Sequence, residues 1–237
     1  MEEQEKRQLA AAREQVARLL EREASGHGLD HADRVQRLAL RFAEEEQADP
    51  VLAAWIALLH DVDDYKLFGR EQAERLPHAR QILQEAGVAE DRREQICSAI
   101  GTLGYSKRLR GIEPETLEGR VVSDADMCDA LGANGILRTY AFGLASGRPF
   151  FDRNQFPEEH LTVAQYQDKS RGTGVDHFFE KILKLKDLML TGAGKAEAMH
   201  RHRLVVAFLS HLFEEEQAPE WSRYLRERCG TELEHLE

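Results

Sequence analysis

From Glu3 to Arg22 the pattern is largely polar, with Leu9, Val16, Leu19 and Leu20 spaced on one side of a helix. Ser25 and Gly26 interrupt the pattern, and a second amphipathic segment runs from about Asp30 to Gln47 with Val35, Leu38, Ala39 and Phe42 inward. Asp49-Pro50 reads as a helix start, since the first turn does not need the N–H that proline lacks. Val51 to Leu59 is then apolar all round, the pattern of a helix in the middle of a core. Arg70 to Ala86 closes with Gly87, Asp91 to Ile100 closes with Gly101, and a segment beginning at Pro114 runs through Val121 and Val122 towards Leu131. Between Gly143 and Gly174 the periodicity fails. The stretch GRPFFDRNQFPEEH predicts a long irregular excursion with room for a short helix, and loops of that length often line a site. Helices resume over Asp176 to Leu190 and Lys195 to Glu216, followed by a polar tail. No strand pattern, repeat or linker composition divides the chain, so the expectation is one all-α domain over residues 1–237.

Composition narrows the function classes. Of 237 residues, 42% are apolar, enough to build a core, and 32 Lys and Arg against 43 Asp and Glu leave a net charge of −11. That charge repels phosphate backbones, which argues against nucleic acid or an anionic membrane as partner. An anionic ligand must be caught by local positive charge. The longest apolar run, Val51 to Leu59, falls far short of the roughly 20 residues of a membrane helix, and MEEQEKRQLA has no hydrophobic signal region. A soluble cytoplasmic protein is expected. Cys97, Cys128 and Cys229 are odd in number, scattered and never in a CxxC pair, so they predict reduced structural thiols rather than a disulfide framework or a thiolate zinc site.

The chemistry gathers around ALLHDVDD, residues 57–64, where the apolar run ends on charge. His60 and Asp61 can both reach one point beside the helix edge, a metal-binding arrangement, or they can simply cap the helix. Their company decides between these readings. Upstream, HGLDHADRV offers His27 and His31; downstream, VVSDADMCDALG offers Asp124, Asp126 and Asp129 among apolar neighbours, where a charge is costly unless paired or metal-bound.

The order His, His-Asp, Asp in a helical chain resembles the HD-domain metal-dependent phosphohydrolases. HxxxHxxRV, ALLHDVDDYK, SDADxxDALGANGI, GRPFFD and HFFEKILKLKD, in that order over roughly residues 27–212, are most similar to the stand-alone bacterial YedJ/YpgQ-like branch. The resemblance implies an HD-domain bundle with core motifs at 27–131 and C-terminal helices at 175–216 completing the pocket. By motif position it implies His31, His60, Asp61 and Asp126 as metal ligands. His27, one turn before His31, would support the pocket, and Asp124, about 200° from Asp126 on the helix, would face elsewhere. Two histidines and two carboxylates without thiolate suit a catalytic divalent ion with open water positions rather than structural zinc, Mn²⁺ foremost, with Mg²⁺, Fe²⁺, Co²⁺ or Ni²⁺ as its alternatives. Only His78 falls between the HD pair and the last aspartate, so one ion is expected.

Asp64, three residues after Asp61, resembles the acidic residue that related enzymes use for proton transfer, and with Asp61 it forms the catalytic pair; Asp63 is its competitor. Arg34 shares a helix face with His31 and suits either a phosphate or an ion pair. His177, Lys181 and Lys184 would line one helix edge beside an apolar stripe of Phe178, Ile182, Leu185 and Met189. With Lys169 and Arg171 they offer local positive charge to a polyphosphate or a solvated face, while Arg148 and Tyr166 would close as a lid. His200 and His202, two apart, point in nearly opposite directions and read as structural.

The expected activity is hydrolysis of a small phosphorylated metabolite, a nucleotide. The branch implies nucleoside triphosphate pyrophosphohydrolase chemistry. A nucleotide monophosphatase or another phosphoester hydrolase on the same site is the alternative, and a non-catalytic metal- and nucleotide-binding sensor is the rival from another class. The oligomeric state is left open.

Overall fold

The computed structural model describes residues 2–21, 28–157 and 172–233, and among these the structure is helical with no strand. The break at Ser25-Gly26 and the side chains of His27, Tyr166, Lys169 and Arg171 lie outside the described residues. Two compact units are formed, one from residues 1–127 with 190–194 and the other from residues 128–189 with 195–237.

The first unit is built around α3 (Pro50–Leu59), all of whose residues from Val51 to Leu59 are buried. Its start follows the sequence expectation. Asp49 caps it by accepting from the backbone N–H groups of Val51 and Leu52 at 2.8 and 3.2 Å, and Pro50 occupies the first turn. Burying each large aliphatic side chain of this helix contributes ~1.5–3 kcal/mol. Helices α1 (Glu3–Leu19), α2 (Leu29–Glu46) and, further along the chain, Glu90–Ile100 pack on it, with α2 making the most extensive contact. Short helices α4 (Tyr65–Phe68) and α5 (Arg70–Arg75) and the longer α6 (Pro77–Glu85) lead to α7 (Glu90–Ile100), then α8 (Tyr105–Arg108) and α9 (Leu117–Asp129).

The helix expected over Arg70 to Ala86 is broken. Leu76 takes a left-handed φ of 52°, and Pro77 begins a new helix because the ring forbids continuation of the previous one.

The second unit contains α10 (Gly132–Ala145), α11 (Gly174–Glu180) and a 3₁₀ turn over Ile182–Leu188. The single helix expected over Asp176 to Leu190 is therefore corrected: Lys181, at φ −133° and ψ −61°, leaves the helical path. Thr173 starts α11 with a capping box to Asp176. Helix α12 (Gly192–Glu215) follows, and the expected polar tail is instead α13 (Pro219–Leu233), which buries Trp221, Leu225 and Cys229 at four-residue spacing. Trp221 stacks on Phe156 and donates its Nε1–H to the Arg153 carbonyl at 3.0 Å. The three cysteines are free and buried.

Candidate metal centre

The apolar helix α3 delivers the first donor. His60 is its C-cap residue, and its Nδ1 lies 2.7 Å from the Ala57 carbonyl oxygen. A carbonyl only accepts, so Nδ1 carries the proton and Nε2 presents its lone pair. Asp61 follows in the turn that ends the helix and is 7% exposed. His31, fully buried, comes from the first turn of α2, and Asp126 from α9.

His31, His60 and Asp126 converge, and Asp61 stands close to the two histidines. The Nε2 atoms of His31 and His60 are 3.2 Å apart. Asp61 Oδ2 stands 3.4 Å from each of them, and Asp126 Oδ1 stands 3.4 Å from His31 Nε2 and 3.8 Å from His60 Nε2. Donors ~2.1 Å from a common ion stand about 3.0 Å apart at right angles and about 3.4 Å apart at tetrahedral angles. Four of the observed separations, at 3.2 to 3.4 Å, fall in this range, and the fifth, His60 Nε2 to Asp126 Oδ1 at 3.8 Å, is wider. His31, His60 and Asp126 each offer an atom within 4.8 Å of the other two, a group that does not include Asp61, whose Oδ2 approaches the two rings. Two imidazoles and the Asp126 carboxylate, with one ring already locked in the ligating tautomer, fit one divalent cation, and Asp61 stands beside the two rings.

The electrostatics agree. Burial raises the Asp126 carboxyl, but the hydrogen bond from His31 and the charges of His60 and His31 outweigh it and hold the group at about 2. Asp126 is thus a carboxylate at any ordinary pH, as a ligand must be.

The neighbouring acids serve the fold. Asp63 accepts from His78 Nδ1 at 2.7 Å and from the backbone N–H groups of His78 and Ala79 at 3.2 and 2.9 Å, capping α6. His78 is engaged there, against the Phe68 ring as well. Asp124, fully buried, accepts from Leu190 N–H at 2.9 Å, Thr191 N–H at 2.8 Å and the Thr191 hydroxyl at 2.7 Å. Burial pushes its carboxyl up, against those hydrogen bonds. Gly194 is required beside it, since a Cβ there would fall 2.2 Å from Asp124 Oδ2.

Asp64 is reached by a turn rather than by continuing the helix: its N–H donates to the Asp61 carbonyl at 3.1 Å, and its own carbonyl accepts from Leu67 and Phe68. The shared helical face expected for Asp61 and Asp64 is replaced by this turn, which still keeps them adjacent. Arg34 pairs with Asp30 at 2.6 Å, one turn beyond His31. Arg148, with its guanidinium 5.0 Å from the Phe142 ring centre, belongs to the second unit, as do half-buried His177 and Lys181 and exposed Lys184. With the helix broken at Lys181, these last three do not share a continuous helical edge. Asp129, also there, pairs with Arg138 at 2.8 Å.

Sequence reasoning passed over Lys107 and Arg108, on α8. Lys107 feels the charge of Asp64, and Arg108 that of Asp124. Their signal was two adjacent cations in a short segment between the HD pair and Asp126.

Comparison with known proteins places this geometry. Residues 28–131 match the model of the HD domain. YpgQ of Bacillus subtilis (strain 168) is 31% identical over 209 residues, covering 88% of this chain and 93% of the relative. A crystal structure from Lactobacillus plantarum shares 36% identity at a TM-score of 0.77, covering 92% of this chain and 99% of that one. An HD-superfamily hydrolase from Bacillus thuringiensis shares 33% identity at a TM-score of 0.69 over 90% of this chain and 99% of that one. The B. subtilis YpgQ structure in complex with ADP superposes with 26% identity and a TM-score of 0.68 over 90% of this chain and 96% of that one.

Proposed function

The chain belongs to the HD-domain family of metal-dependent hydrolases, and from that premise we propose that it hydrolyses nucleotides, as a pyrophosphohydrolase converting a nucleoside triphosphate to the monophosphate and pyrophosphate. The observation that carries the proposal is the convergence of His31, His60 and Asp126 at distances of 3.2 to 3.8 Å, with Asp61 3.4 Å from both rings. The ADP complex of a relative supports a nucleotide as the ligand class. Among the described residues no helix is long and apolar enough to cross a membrane.

His31, His60, Asp61 and Asp126 would hold one divalent cation, with Mn²⁺ the first choice for this donor set. When bound, such an ion lowers the pKa of a water towards about 7 and offsets charge on a phosphoryl oxygen. The chain supplies the rest. Ala57 fixes the His60 tautomer, so that no proton competes for Nε2. Asp64, held against Asp61 by the turn, is the assigned proton acceptor at a carboxylate oxygen. Asp63 is excluded from that task, because both of its oxygens are spent on α6.

The test is turnover of a panel of NTPs, dNTPs and monophosphates with Mn²⁺ against a chelated control, with products read by phosphorus NMR. Pyrophosphate supports the proposal. Free phosphate from a monophosphate would assign a phosphatase, and nucleotide binding without any product would assign a sensor.

A further inference from the structure

In the second unit the outer face of α10 is apolar and exposed: Leu137 is 65% exposed, Tyr140 48% and Leu144 63%. The exposed positions from Ala133 to Ala145 fall within an arc of ~140° around the helix axis. None of them is charged, in a chain of which 32% is Asp, Glu, Lys and Arg. Gly132, Gly135 and Gly143 are buried on the opposite side, and Arg138, at the edge of the arc, is paired with Asp129 at 2.8 Å. The stripe continues onto α12. A Cβ at Gly132 would stand 3.2 Å from Arg201 Cβ, and the Phe150 ring lies 5.5 Å from that of Tyr140 and 6.1 Å from that of Phe208 between ring centres. α10 therefore runs along positions 201–208 of α12, where Leu204, one turn from both Arg201 and Phe208, is 48% exposed. Apolar side chains scattered singly over a surface are ordinary, but a contiguous uncharged stripe marks a contact.

We propose that this face joins two copies of the chain, α10 packing antiparallel on α10 of a second copy across a twofold axis, with Leu137 of each against Tyr140 of the other and Ala133 against Leu144. The pattern points to a helix as occupant, since Ala133, Leu137, Tyr140 and Leu144 recur at spacings of four, three and four, the seam spacing of paired helices. Charge points to a second copy. A partner helix with charged flanks would bury ions with nothing to pair them, whereas the same helix brings no charge to the contact. The twofold also sets the small Ala133 opposite the larger Leu144, so the seam complements itself in shape. Elsewhere a net charge of −11 repels a second copy, which leaves an uncharged face as the place to meet. An apolar patch of ~300–600 Å² on each copy, ~600–1,200 Å² in total, stands at the low end of specific interfaces, so a reversible dimer in the micromolar range is expected.

The experiment is sedimentation equilibrium of the metal-loaded full chain from about 1 to about 200 μM, a range that brackets such an affinity. Wild type is compared with Leu137→Glu, Leu144→Glu, Tyr140→Lys and an equimolar mixture of Leu137→Glu with Tyr140→Lys, and circular dichroism melting checks the fold of each. Wild type is expected to dimerise reversibly, and each single variant at least about 10-fold more weakly, because a charge enters the seam from both copies. The mixture should return to within about threefold of wild type, since in the mixed dimer the carboxylate introduced at 137 meets the ammonium introduced at 140 of the other copy. Wild type that stays monomeric up to about 200 μM overturns the proposal, as does a dimer whose affinity is unchanged in Leu137→Glu and Leu144→Glu. A mixture no tighter than either variant alone overturns the antiparallel register. If a glutamate variant loses its fold, the Leu137→Ser, Leu144→Ser double variant decides: a folded chain with wild-type dimer affinity also overturns the assignment.

Discussion

Asp124 and Asp126 stand two residues apart on one helix and perform opposite tasks: Asp124 is fully buried against Leu190 and Thr191, while Asp126 presents Oδ1 3.4 Å from His31 Nε2. Substituting them should separate stability from metal binding. Asp126→Asn is expected to lose the bound ion, seen by elemental analysis, with little change in the unfolding midpoint of the metal-free protein. Asp124→Ala leaves two backbone N–H groups and a hydroxyl without their acceptor in a dry interior, and should cost about 3 kcal/mol in denaturant unfolding while the folded fraction still binds metal. Equal metal loss in both variants would reject the division of labour.

A similar contrast separates Asp63 from Asp64. Asp63 is 2% exposed and caps α6, so Asp63→Ala should lower stability by about 1–2 kcal/mol through the lost cap. Asp64→Asn should leave stability and metal content near wild type but reduce kcat by about 10²- to 10⁴-fold, the usual contribution of a positioned acid or base. A kcat unchanged by Asp64→Asn would move proton transfer to another group.

What the sequence made legible was local or carried by the family motif. The apolar run after Asp49-Pro50 needed only proline chemistry and periodicity to be read as a buried helix, and the metal-ligand candidates followed from their motif positions. What escaped depended on partners distant in sequence or on single backbone residues. Asp63 was left as a competitor of Asp64 because its role is set by N–H groups at positions 78 and 79, 15 and 16 residues further along the chain. Leu76 and Lys181 break helices at residues with no intrinsic aversion to helix; at Leu76 the following proline was the available sign, whereas at Lys181 the apolar stripe of Phe178, Ile182 and Leu185 reads equally well through a 3₁₀ turn. The last helix was hidden by its many charges, although Trp221, Leu225 and Cys229 mark one buried stripe.

That stripe makes Trp221 a strong test of the second unit. It is fully buried among Phe151, Phe156, Phe179 and Phe213. Trp221→Ala should cost about 3–5 kcal/mol in denaturant unfolding, because the ring's burial is lost and the Arg153 carbonyl loses its donor. Trp221→Phe should recover most of the packing and cost less, leaving mainly the lost hydrogen bond. Near-wild-type stability of Trp221→Ala would show that α13 adds little to the unit.

The pH dependence of stability should carry the signature of His202. The ring is fully buried with Nε2 3.5 Å from Glu232 Oε1. Burial pushes its pKa below the ordinary 6.5, Lys186 adds to the effect, and Glu232 and Asp187 pull the other way without reversing it. Near and below pH 6.5 the unfolded chain therefore binds a proton at this position that the folded chain refuses. Stability from keeping His202 neutral is present above 6.5 and is lost as pH falls from there through the folded-state value. The carboxyl groups held low, Asp30 and Glu232 among them, lose their contributions only in the more acidic range, below their ordinary values of 3.8 and 4.5. Denaturant unfolding of wild type between pH 7.5 and 5.0 should thus show stability falling with acid, and His202→Gln should flatten that fall. An identical slope in the variant would mean that His202 titrates in the folded protein as it does in the unfolded chain.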